Sequence, residues 1–290
     1  MIYIIKNKIK WNSLIKDSDI NSIFFKYEFA KFFFNNAKLI VFKDNERLAL
    51  FCAIIKDKKI KSLRYGGILT NSLNKSFCEL IKNRFIEYCR IHGIKKYVIR
   101  NHPFFNTIKI GELIKKEPFV FVDLNKPKRQ LLNEISKKHI KNIKKAKAEN
   151  LEIFETSDLK YLKIFYQLYQ NQLQLKGIIP QKYMFFKKMF DYFGDNLSFV
   201  CVKNKNDIIA ISIILDDNSN VFMMYGGMNK KGYVKCAKYW MIYNLMFEYK
   251  KKGYSRLILG TGNDGKDSVY KFKQGFAKSE AYVDTYGGEI

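Results

Sequence analysis

Residues 198–227 read SFVCVKNKNDIIAISIILDDNSNVFMMYGG, and a segment of the same pattern lies 160 positions earlier in the chain. That segment, residues 38–67, reads KLIVFKDNERLALFCAIIKDKKIKSLRYGG and aligns with the first without a gap. Each segment contains three apolar runs separated by two polar turns and ends in Tyr-Gly-Gly, which predicts three consecutive strands. The recurrence predicts that the chain consists of two copies of one structural unit.

The same register continues after the two Tyr-Gly-Gly motifs. Each copy goes on with a predicted helix (77–91 and 237–251) and then a predicted strand (95–100 and 255–259). Gly93 and Gly253 separate the helix from the strand in the two copies. Glycine often ends a helix because it adopts the left-handed conformation without strain.

Two further elements complete each copy. An aromatic-rich helix is predicted before each repeat (25–34 and 183–193), and a strand with a shared Val-Asp is predicted near the end of each copy (119–124 and 281–286). We therefore predict an α/β (α+β) fold with two tandem domains, residues 1–125 and 126–290. Each domain is expected to be a mixed, mainly antiparallel sheet flanked by helices.

The composition favours a folded, basic protein with anionic partners. The chain has 290 residues, 47% of them hydrophobic, and a formal net charge of +26 from 53 basic and 27 acidic residues. This charge favours nucleotides, phosphates, coenzymes, tRNA or an anionic membrane surface as partners. Only seven of the basic residues are arginine, and because base-edge recognition favours the arginine fork, we expect no sequence-specific DNA binding.

The cysteines and the apolar runs bear on location. The five cysteines form no C-x-x-C pair and lie mostly in apolar surroundings, which predicts buried free thiols. No apolar run is long enough to span a bilayer, and the N-terminal MIYIIKNKIK carries charge too early for a secretory signal. We predict a cytoplasmic protein, and its basic surface leaves peripheral contact with an anionic membrane open.

A second stretch carries the candidate chemistry. Residues 256–276 read RLILGTGNDGKDSVYKFKQGF, an apolar strand followed by a glycine-rich loop and by two lysines before a Gly-aromatic pair. Glycine lets backbone amides approach a ligand closely, and nearby lysines attract an anion or a developing oxyanion. The alternative is a surface loop with solvated lysines.

The order of elements in each copy (helix, three strands, helix, two strands) resembles the core of the GCN5-related N-acetyltransferase (GNAT) superfamily. A tandem pair of such domains resembles the Fem-type (FemAB/FemX-like) acyltransferases, which build peptidoglycan cross-bridges. Residues 132–149, LNEISKKHIKNIKKAKAE, look like the basic helix that opens the second domain of that family. Residues 267–276, DSVYKFKQGF, look like its aromatic-Lys-x-Gly-aromatic signature. The resemblance covers nearly the whole chain.

The loops that grip the donor in ordinary GNAT enzymes differ here. Those enzymes have an Arg-x-x-Gly-x-Gly/Ala loop for the pyrophosphate of coenzyme A, whereas residues 228–234 read MNKKGYV and residues 68–73 read ILTNSL. The second loop keeps a glycine, two lysines and a predicted helix N-terminus, which favour phosphate. The first loop has no basic residue, so we expect the donor site in the second domain and none in the first. Fem-type enzymes that use aminoacyl-tRNA also lack the standard loop, and the identity of the donor stays open.

The resemblance implies a set of site residues. In this superfamily the donor lies where the third and fourth strands splay, and the matching positions are Tyr225, Gly226, Gly227, Met228, Lys230, Lys231, Gly232, Tyr233, Gly260 and Gly262. The catalytic candidates are Lys273, which would stabilise a carbonyl or phosphate, and Asp264 and Asp267, which would act as bases or bind a substrate ammonium. The acceptor-binding candidates are Arg64, Tyr65, Tyr239, Tyr270 and Lys271. No metal site is predicted, and none of the three histidines has a partner at metal or triad spacing.

The catalytic candidates each have a structural alternative. Lys273 also fits a solvated lysine at a strand edge, and a lysine is a poor general base unless burial or neighbouring cations lower its pKa. Asn-Asp-Gly is a common turn sequence, so turn chemistry is the favoured interpretation of Asp264 and Asp267.

Residues 131–147 predict an amphipathic, lysine-rich helix. Its apolar face consists of Leu131, Leu132, Ile135, Ile140, Ile143 and Ala146, and its remainder carries Lys137, Lys138, Lys141, Lys144, Lys145 and Lys147. The lysines suit tRNA, a nucleotide diphosphate or anionic lipid headgroups. A merely solvated face is an equal alternative.

Three functional hypotheses follow. The leading one is an N-acyltransferase that moves an acyl group from acyl-CoA (acetyl-CoA or a longer acyl-CoA) to the amino group of a cell-envelope precursor, favoured as a nucleotide-linked amino sugar. The second is an aminoacyl-tRNA-dependent transferase that acts on a peptidoglycan precursor. The third is a polyanion-binding protein on a degenerate acyltransferase fold.

Overall fold

The computed structural model describes residues 1–18, 20, 22–217, 219–262 and 266–290. The chain divides into two compact units, of which the first consists of Met1–Glu117 with Tyr282–Ile290 and the second of Pro118–Ala281. Each unit is α+β and has its own hydrophobic core. Within the described residues, no helix combines the length and the apolar character needed to cross a bilayer.

The first unit contains the predicted helices and strands in the predicted order, together with further elements that the repeat does not predict. Its elements are β1 (Ile2–Ile5), α1 (Lys8–Asp17), α2 (Tyr27–Phe33), β2 (Lys38–Asp44), β3 (Arg47–Lys56), β4 (Lys59–Ser62), β5 (Ile68–Thr70), α3 (Lys75–Ile91), β6 (Lys96–Arg100) and β7 (Thr107–Ile108), with a 3-10 turn at Ile23–Phe25. The strand β8 (Glu112–Asp123) begins in this unit and ends in the second.

The second unit repeats the pattern with additional helices. Its elements are α4 (Lys128–Glu134), α5 (Lys137–Ala148), β9 (Glu152–Thr156), α6 (Tyr161–Gln174), α7 (Tyr183–Phe193), β10 (Leu197–Asn204), β11 (Asp207–Asp216), β12 (Asn220–Met228), α8 (Lys230–Val234), α9 (Ala237–Lys251), β13 (Arg256–Gly260) and α10 (Ser268–Gln274), with a 3-10 turn at Gly194–Asn196. The last strand of the chain is β14 (Glu280–Glu289).

The two units have corresponding strand orders. In the first unit the order is β1-β2-β3-β4-β6-β14, with β5 paired to β3 and β7, and in the second it is β8-β13-β12-β11-β10-β9. Neighbouring strands are antiparallel except for one parallel pair in each unit, β4 with β6 and β12 with β13. This is the mixed, mainly antiparallel sheet with flanking helices that the repeat predicts.

Helix α9 shows why these residues form these elements. Its buried side chains include Met241, Leu245 and Tyr249, which lie four residues apart and therefore share one face. That face belongs to the core of the second unit, together with Val200 and Ile209 of the sheet.

The strongest periodic elements agree with the sequence prediction. Helices α7 and α9 begin and end at the predicted residues. Gly93 and Gly253 follow their helices with φ of +62° and +84°, as expected of glycines that end a helix. The strands β6 and β13 start at Lys96 and Arg256, one residue after the predicted starts.

Two predicted elements were wrong in detail, and one helix was not predicted. The lysine-rich helix 131–147 is two helices, because the chain leaves α4 at Ile135 and Ser136 then caps α5 by accepting from the backbone N–H of His139. In the first copy the third strand ends at Ser62, and Tyr65 (φ +51°) lies in a turn, whereas β12 continues through the second Tyr-Gly-Gly. The helix α10 lies before the last strand, where no element was predicted.

The division of the compact units differs from the predicted domain boundary at 125/126. The end of β8 pairs with β13 from Val120 to Asp123, inside the second unit. The strand β14 pairs with β6 from Thr285 to Glu289, inside the first. The final strand of each repeated copy thus adds to the sheet of the other copy, so a single cut in the sequence does not reproduce the units.

Candidate functional site

One cavity of the second unit has a volume of about 610 Å³. It is lined by residues from β11, β12 and β13 and from α6, α8, α9 and α10. Most of the lining is apolar or aromatic, and its polar side chains include Gln172, Ser212, Lys238 and Lys273. This size, with a mainly apolar lining and a few convergent polar groups, is typical of small-molecule sites.

The cavity exists because β12 and β13 separate. They pair only from Asn220/Arg256 to Phe222/Ile258. Just beyond, the register between β11 and β12 shifts so that Met224 is an extra residue on β12, and a bulge of this kind bends the strand that carries it. The opening predicted between the third and fourth strands of the second copy is therefore present, and Met223 and Met224 face it.

Lys238, near the start of α9, brings an amine to this cavity. Its Nζ donates a hydrogen bond to Ser212 Oγ of β11 and lies 3.4 Å from the carbonyl oxygen of Ile211. The space for the amine comes from Gly226, where a Cβ would overlap Lys238 Nζ and lie 2.6 Å from Ser212 Oγ. Three elements therefore fix this amine in one position.

Burial changes the proton affinity of this lysine. Desolvation lowers the pKa of Lys238 from its usual 10.5 to about 7. The side chain is partly accessible from the cavity, so a ligand in the cavity can reach it. A lysine of this kind is half-deprotonated near neutral pH, which makes it a candidate general base.

Sequence reasoning missed Lys238, although a local signal was present. Met241, Ile242 and Leu245 lie three, four and seven residues after it and are all buried. A lysine at this spacing must lie on the apolar face of the helix. Ser212 and Gly226, which surround the amine, come from two strands of the unit, and no local sequence pattern around Lys238 indicates that they contact it.

Lys273 of α10 lies on another wall of the cavity. Its Nζ donates to the carbonyl oxygen of Thr261 at 2.6 Å, and a Cβ added at Gly260 (φ +82°) would lie 3.8 Å from that nitrogen. Lys273 is therefore a positioned cation on a helix and not a lysine on a strand edge, and its catalytic role stays a prediction.

The predicted donor loop after β12 satisfies much of its own hydrogen bonding. Asn229 Oδ1 accepts from the backbone N–H of Gly232 at 2.9 Å, and Lys231 forms an ion pair with Asp207 at 2.9 Å. Gly232 lies so close to β11 that a Cβ would overlap the carbonyl oxygen of Ile209. The loop thus holds α8 against the sheet, and Gly232 and Tyr233 of that helix line the cavity.

The cavity brings together only part of the predicted site. The predicted residues that line it are Tyr225, Gly226, Met228, Gly232, Tyr233, Tyr239 and Lys273. Described residues that were predicted but are not part of its lining are Gly227, Lys230, Lys231, Gly260, Gly262, Asp267, Tyr270 and Lys271. Asp264 lies outside the residues that the structure describes.

Several of those residues have identifiable structural contacts. Asp267 caps α10 by accepting from the N–H of Tyr270 at 2.8 Å, which is the turn-type role that the sequence favoured. Tyr270 is buried and donates its hydroxyl to Glu280. Helix α6 passes so close to Gly227 that a Cβ at this position would overlap the backbone of Leu168. Lys271 is exposed on α10.

The two acceptor candidates of the first copy lie in the first unit. Tyr65 is only 4% exposed and packs against Phe24 at a ring-centroid distance of 5.1 Å. Arg64 is exposed, with its guanidinium 5.2 Å from the ring of Tyr65.

A buried histidine supports one wall of the cavity. His139 of α5 lies 2.8 Å from the carbonyl oxygen of Phe272 through Nε2 and 2.9 Å from Ser136 Oγ through Nδ1. Its ring packs edge-on against Tyr239 at 4.9 Å, and burial lowers its pKa. A neutral imidazole ring agrees with these two contacts, because Nε2 must donate to the carbonyl oxygen of Phe272 while Nδ1 accepts from the hydroxyl of Ser136. His139 therefore fixes Phe272 and Tyr239, both of which face the cavity.

Two units of this kind define a fold. Each has a mixed, mainly antiparallel sheet with one parallel pair among the described strands and flanking helices, and the second opens into a cavity at that pair. The chain therefore has a tandem GNAT/Fem-like fold, as the sequence resemblance implied.

Comparisons with known proteins agree on the fold. No protein-family model and no curated protein sequence matches the chain. Among solved structures it is similar to FemX, with a TM-score of 0.69 and 11% identity over 97% of this chain and 96% of FemX. It is also similar to L-PGS from Bacillus licheniformis, with a TM-score of 0.57 and 12% identity over 96% of this chain and 91% of that one. The C-terminal domain of a putative lysylphosphatidylglycerol synthetase from Agrobacterium fabrum gives 0.55 and 13% over 83% of this chain and 81% of that domain. At these identities the likeness establishes the fold alone.

Proposed function

We propose that this chain is an N-acyltransferase that moves an acyl group from acyl-CoA to the amino group of a cell-envelope precursor, with a nucleotide-linked amino sugar as the favoured acceptor. One observation carries the proposal. A lysine amine with a pKa of about 7 faces a mainly apolar cavity at the opened parallel pair of a GNAT/Fem-like unit.

Lys238 acts as the general base. An amine acceptor is largely an ammonium ion at neutral pH, and it attacks a carbonyl only after losing a proton. Lys238 Nζ accepts that proton because about half of its amines are neutral near pH 7. Ser212 orients the amine through its hydroxyl, which can rotate to accept from or donate to Nζ.

Lys273 stabilises the negative charge that develops on the acyl oxygen. Its Nζ is held by Thr261 and lines the cavity, so its charge is oriented before the reaction. The pairing of β12 with β13 ends at Phe222, and residues of β12 beyond that point line the same cavity.

The residues of the cavity fit one part of the donor better than another. The extended part of β12 that lines the cavity suits the pantetheine arm of coenzyme A, which is itself an extended chain. The loop at Asn229 offers the diphosphate less than the sequence predicted, because the Gly232 N–H is already bound and Lys231 is paired with Asp207. Lys176, at the edge of the cavity, offers a positive charge outside that loop.

The acceptor side has fewer assigned groups. Tyr239 is the predicted acceptor residue that lines the cavity. Gln172 lines it as well, and its buried Oε1 has no hydrogen-bond partner among the described residues. A buried acceptor atom without a partner favours a ligand that donates an N–H or O–H. We assign Gln172 to this contact.

Ligand-induced stabilisation tests the donor, and product formation tests the reaction. Acetyl-CoA and CoA should raise the melting temperature of the protein, and at about 100 times Kd the gain is about 2.7 kcal/mol. Release of free CoA thiol should then depend on an added nucleotide-linked amino sugar. Turnover should fall by about 10²- to 10³-fold in Lys273→Ala with the fold retained, whereas Lys251→Ala, an exposed lysine on α9, should leave it unchanged. Unaltered turnover in Lys273→Ala would remove Lys273 from the site.

An aminoacyl-tRNA donor is the second candidate, and a specific observation favours it. Two of the groups that the loop at Asn229 would offer to a diphosphate, the Gly232 N–H and the Lys231 amine, already have partners within the chain. The six lysines of α5 are all exposed on the second unit, on the helix that carries His139, and they suit a polyanionic donor.

The same measurements separate the candidates. Stabilisation by tRNA without stabilisation by CoA, together with transfer from a charged tRNA, would replace the first proposal with the second. Salt-sensitive binding of polyanions without transfer from either donor would reject both and support a binding protein on this fold.

A further inference from the structure

The chain between α6 and α7 and the start of α7 expose aliphatic side chains that the core does not use. Leu175 is 86% exposed and Ile179 is 91% exposed, and Ile178 and, on α7, Met184 are also exposed. On α8, Tyr233 and Val234 are exposed as well. Exposed aliphatic groups at this density mark an interaction surface when they lie together.

These two segments do lie together, because both border one opening. Ile178 and Lys176 from the first segment and Tyr233 from the second all line the cavity of the second unit. Residues 175–184 and α8 therefore form one apolar rim at the mouth of that cavity, and we call this the rim surface.

The first segment of the rim surface and the start of α7 carry charge of one sign. Residues 173–190 include four lysines (Lys176, Lys182, Lys187 and Lys188) and no aspartate or glutamate. These lysines are exposed, as is Lys230 at the start of α8. A second copy of the chain is a poor occupant, because a symmetric contact would bring the same lysines against one another. A nucleic acid would use the lysines but not the aliphatic side chains.

We propose that the rim surface docks this protein on an anionic membrane, with Leu175 and Ile179 entering the headgroup–acyl boundary and the surrounding lysines contacting anionic headgroups. Interfacial binding of this kind combines buried apolar area with attraction to anionic lipid. Each lysine near such a surface contributes about fivefold in affinity. The docked orientation would turn the mouth of the cavity toward the lipid. The inference needs no acyl transfer and goes beyond the function proposed above.

Vesicle flotation tests the inference with purified full-length protein. The protein should float with vesicles of phosphatidylcholine and phosphatidylglycerol and not with vesicles of phosphatidylcholine alone. The double variant Leu175→Ser/Ile179→Ser should bind the anionic vesicles at least about tenfold more weakly, because each side chain loses the transfer energy of an aliphatic group. Exchange of Lys182, Lys187 and Lys188 for glutamine should weaken binding by about a hundredfold.

A matched control distinguishes docking at the rim surface from non-specific adsorption of exposed apolar side chains. Ile9 and Ile91 are 78% and 72% exposed and lie in the first unit, so Ile9→Ser/Ile91→Ser should bind the anionic vesicles as the parent does. Equal vesicle binding by the parent and Leu175→Ser/Ile179→Ser would overturn the inference. So would a concentration-dependent dimer in sedimentation velocity that the Leu175→Ser/Ile179→Ser variant abolishes, because the surface would then bind a second copy. Both readouts are independent of transferase activity, so their failure is distinguishable from failure of the proposed function.

Discussion

Replacing Lys238 by methionine tests whether the cavity holds a largely neutral amine. Lowering the pKa of Lys238 from 10.5 to about 7 destabilises the folded state at low pH by at most about 5 kcal/mol. The side chain is not fully buried, and the actual destabilisation is therefore smaller. Methionine has a similar length and no charge, so it removes this cost. It also deprives Ser212 Oγ and the Ile211 carbonyl of a donor, at about 1–3 kcal/mol.

The direction of the pH dependence follows from proton counts. Between pH 7 and 10.5 the folded chain binds fewer protons at Lys238 than the unfolded chain, so this lysine makes folding less favourable at low pH and the cost fades as pH rises. We therefore expect Lys238→Met to be more stable than the parent near pH 6.5. That advantage should shrink by up to about 1.4 kcal/mol per pH unit through the window and disappear before pH 10.5.

Denaturant unfolding at a series of pH values measures this difference without any substrate. Lys251→Met is the matched control, because Lys251 is an exposed lysine on the same helix, and its difference from the parent should not change with pH. A constant stability difference between Lys238→Met and the parent across the window would refute the reasoning. The amine would then be charged at neutral pH and unsuited to accept a proton.

Three further predictions concern residues around the cavity. Gly226→Ala should reduce turnover by about 10²-fold or more, because a Cβ there displaces Lys238 from Ser212. Steady-state kinetics measures the turnover, with circular dichroism as a check of folding, and full turnover would contradict the prediction. Asp267→Ala should lower stability by about 1 kcal/mol through loss of a helix cap, and Asp267→Asn should restore both stability and turnover, whereas an inactive Asp267→Asn would mean that the carboxylate itself reacts. His139→Ala should lower the free energy of unfolding by about 2–4 kcal/mol, since it removes a buried ring and two hydrogen bonds. The pH at which turnover is half-maximal should stay unchanged, and a shift of that pH would give His139 a part in proton transfer.

The regular elements could be predicted because their signals are local. Helix α9 has an apolar face of regular period and a glycine at its end, and both its boundaries were predicted from those residues. The break at Ser136 was not predicted, because the apolar periodicity continues across it while only one side chain, the serine cap, starts a new helix. Helix α10 was missed for a related reason. It is short and depends on the Asp267 cap and on burial of Tyr270, a contact made by tertiary packing.

Part of the predicted site lines the cavity, and its most unusual residue was not predicted. Lys273, taken from the family signature, lies on the wall of the cavity beside β12, and its catalytic role stays a prediction. The properties of Lys238 depend on Ser212 and Gly226, which precede it by 26 and 12 positions in the chain. Local sequence showed a lysine on an apolar helix face, but only the folded chain shows what surrounds it.

The exchange of final strands bears on how the protein is made. Residues 1–117 leave the ribosome well before residues 282–290, yet β6 needs β14 beside it to complete its sheet. Until the whole second unit has been synthesised, β6 presents an unpaired strand edge, and such edges recruit other chains. A fragment of residues 1–125 should therefore aggregate when expressed alone, and a separately added peptide of residues 280–290 should rescue its solubility.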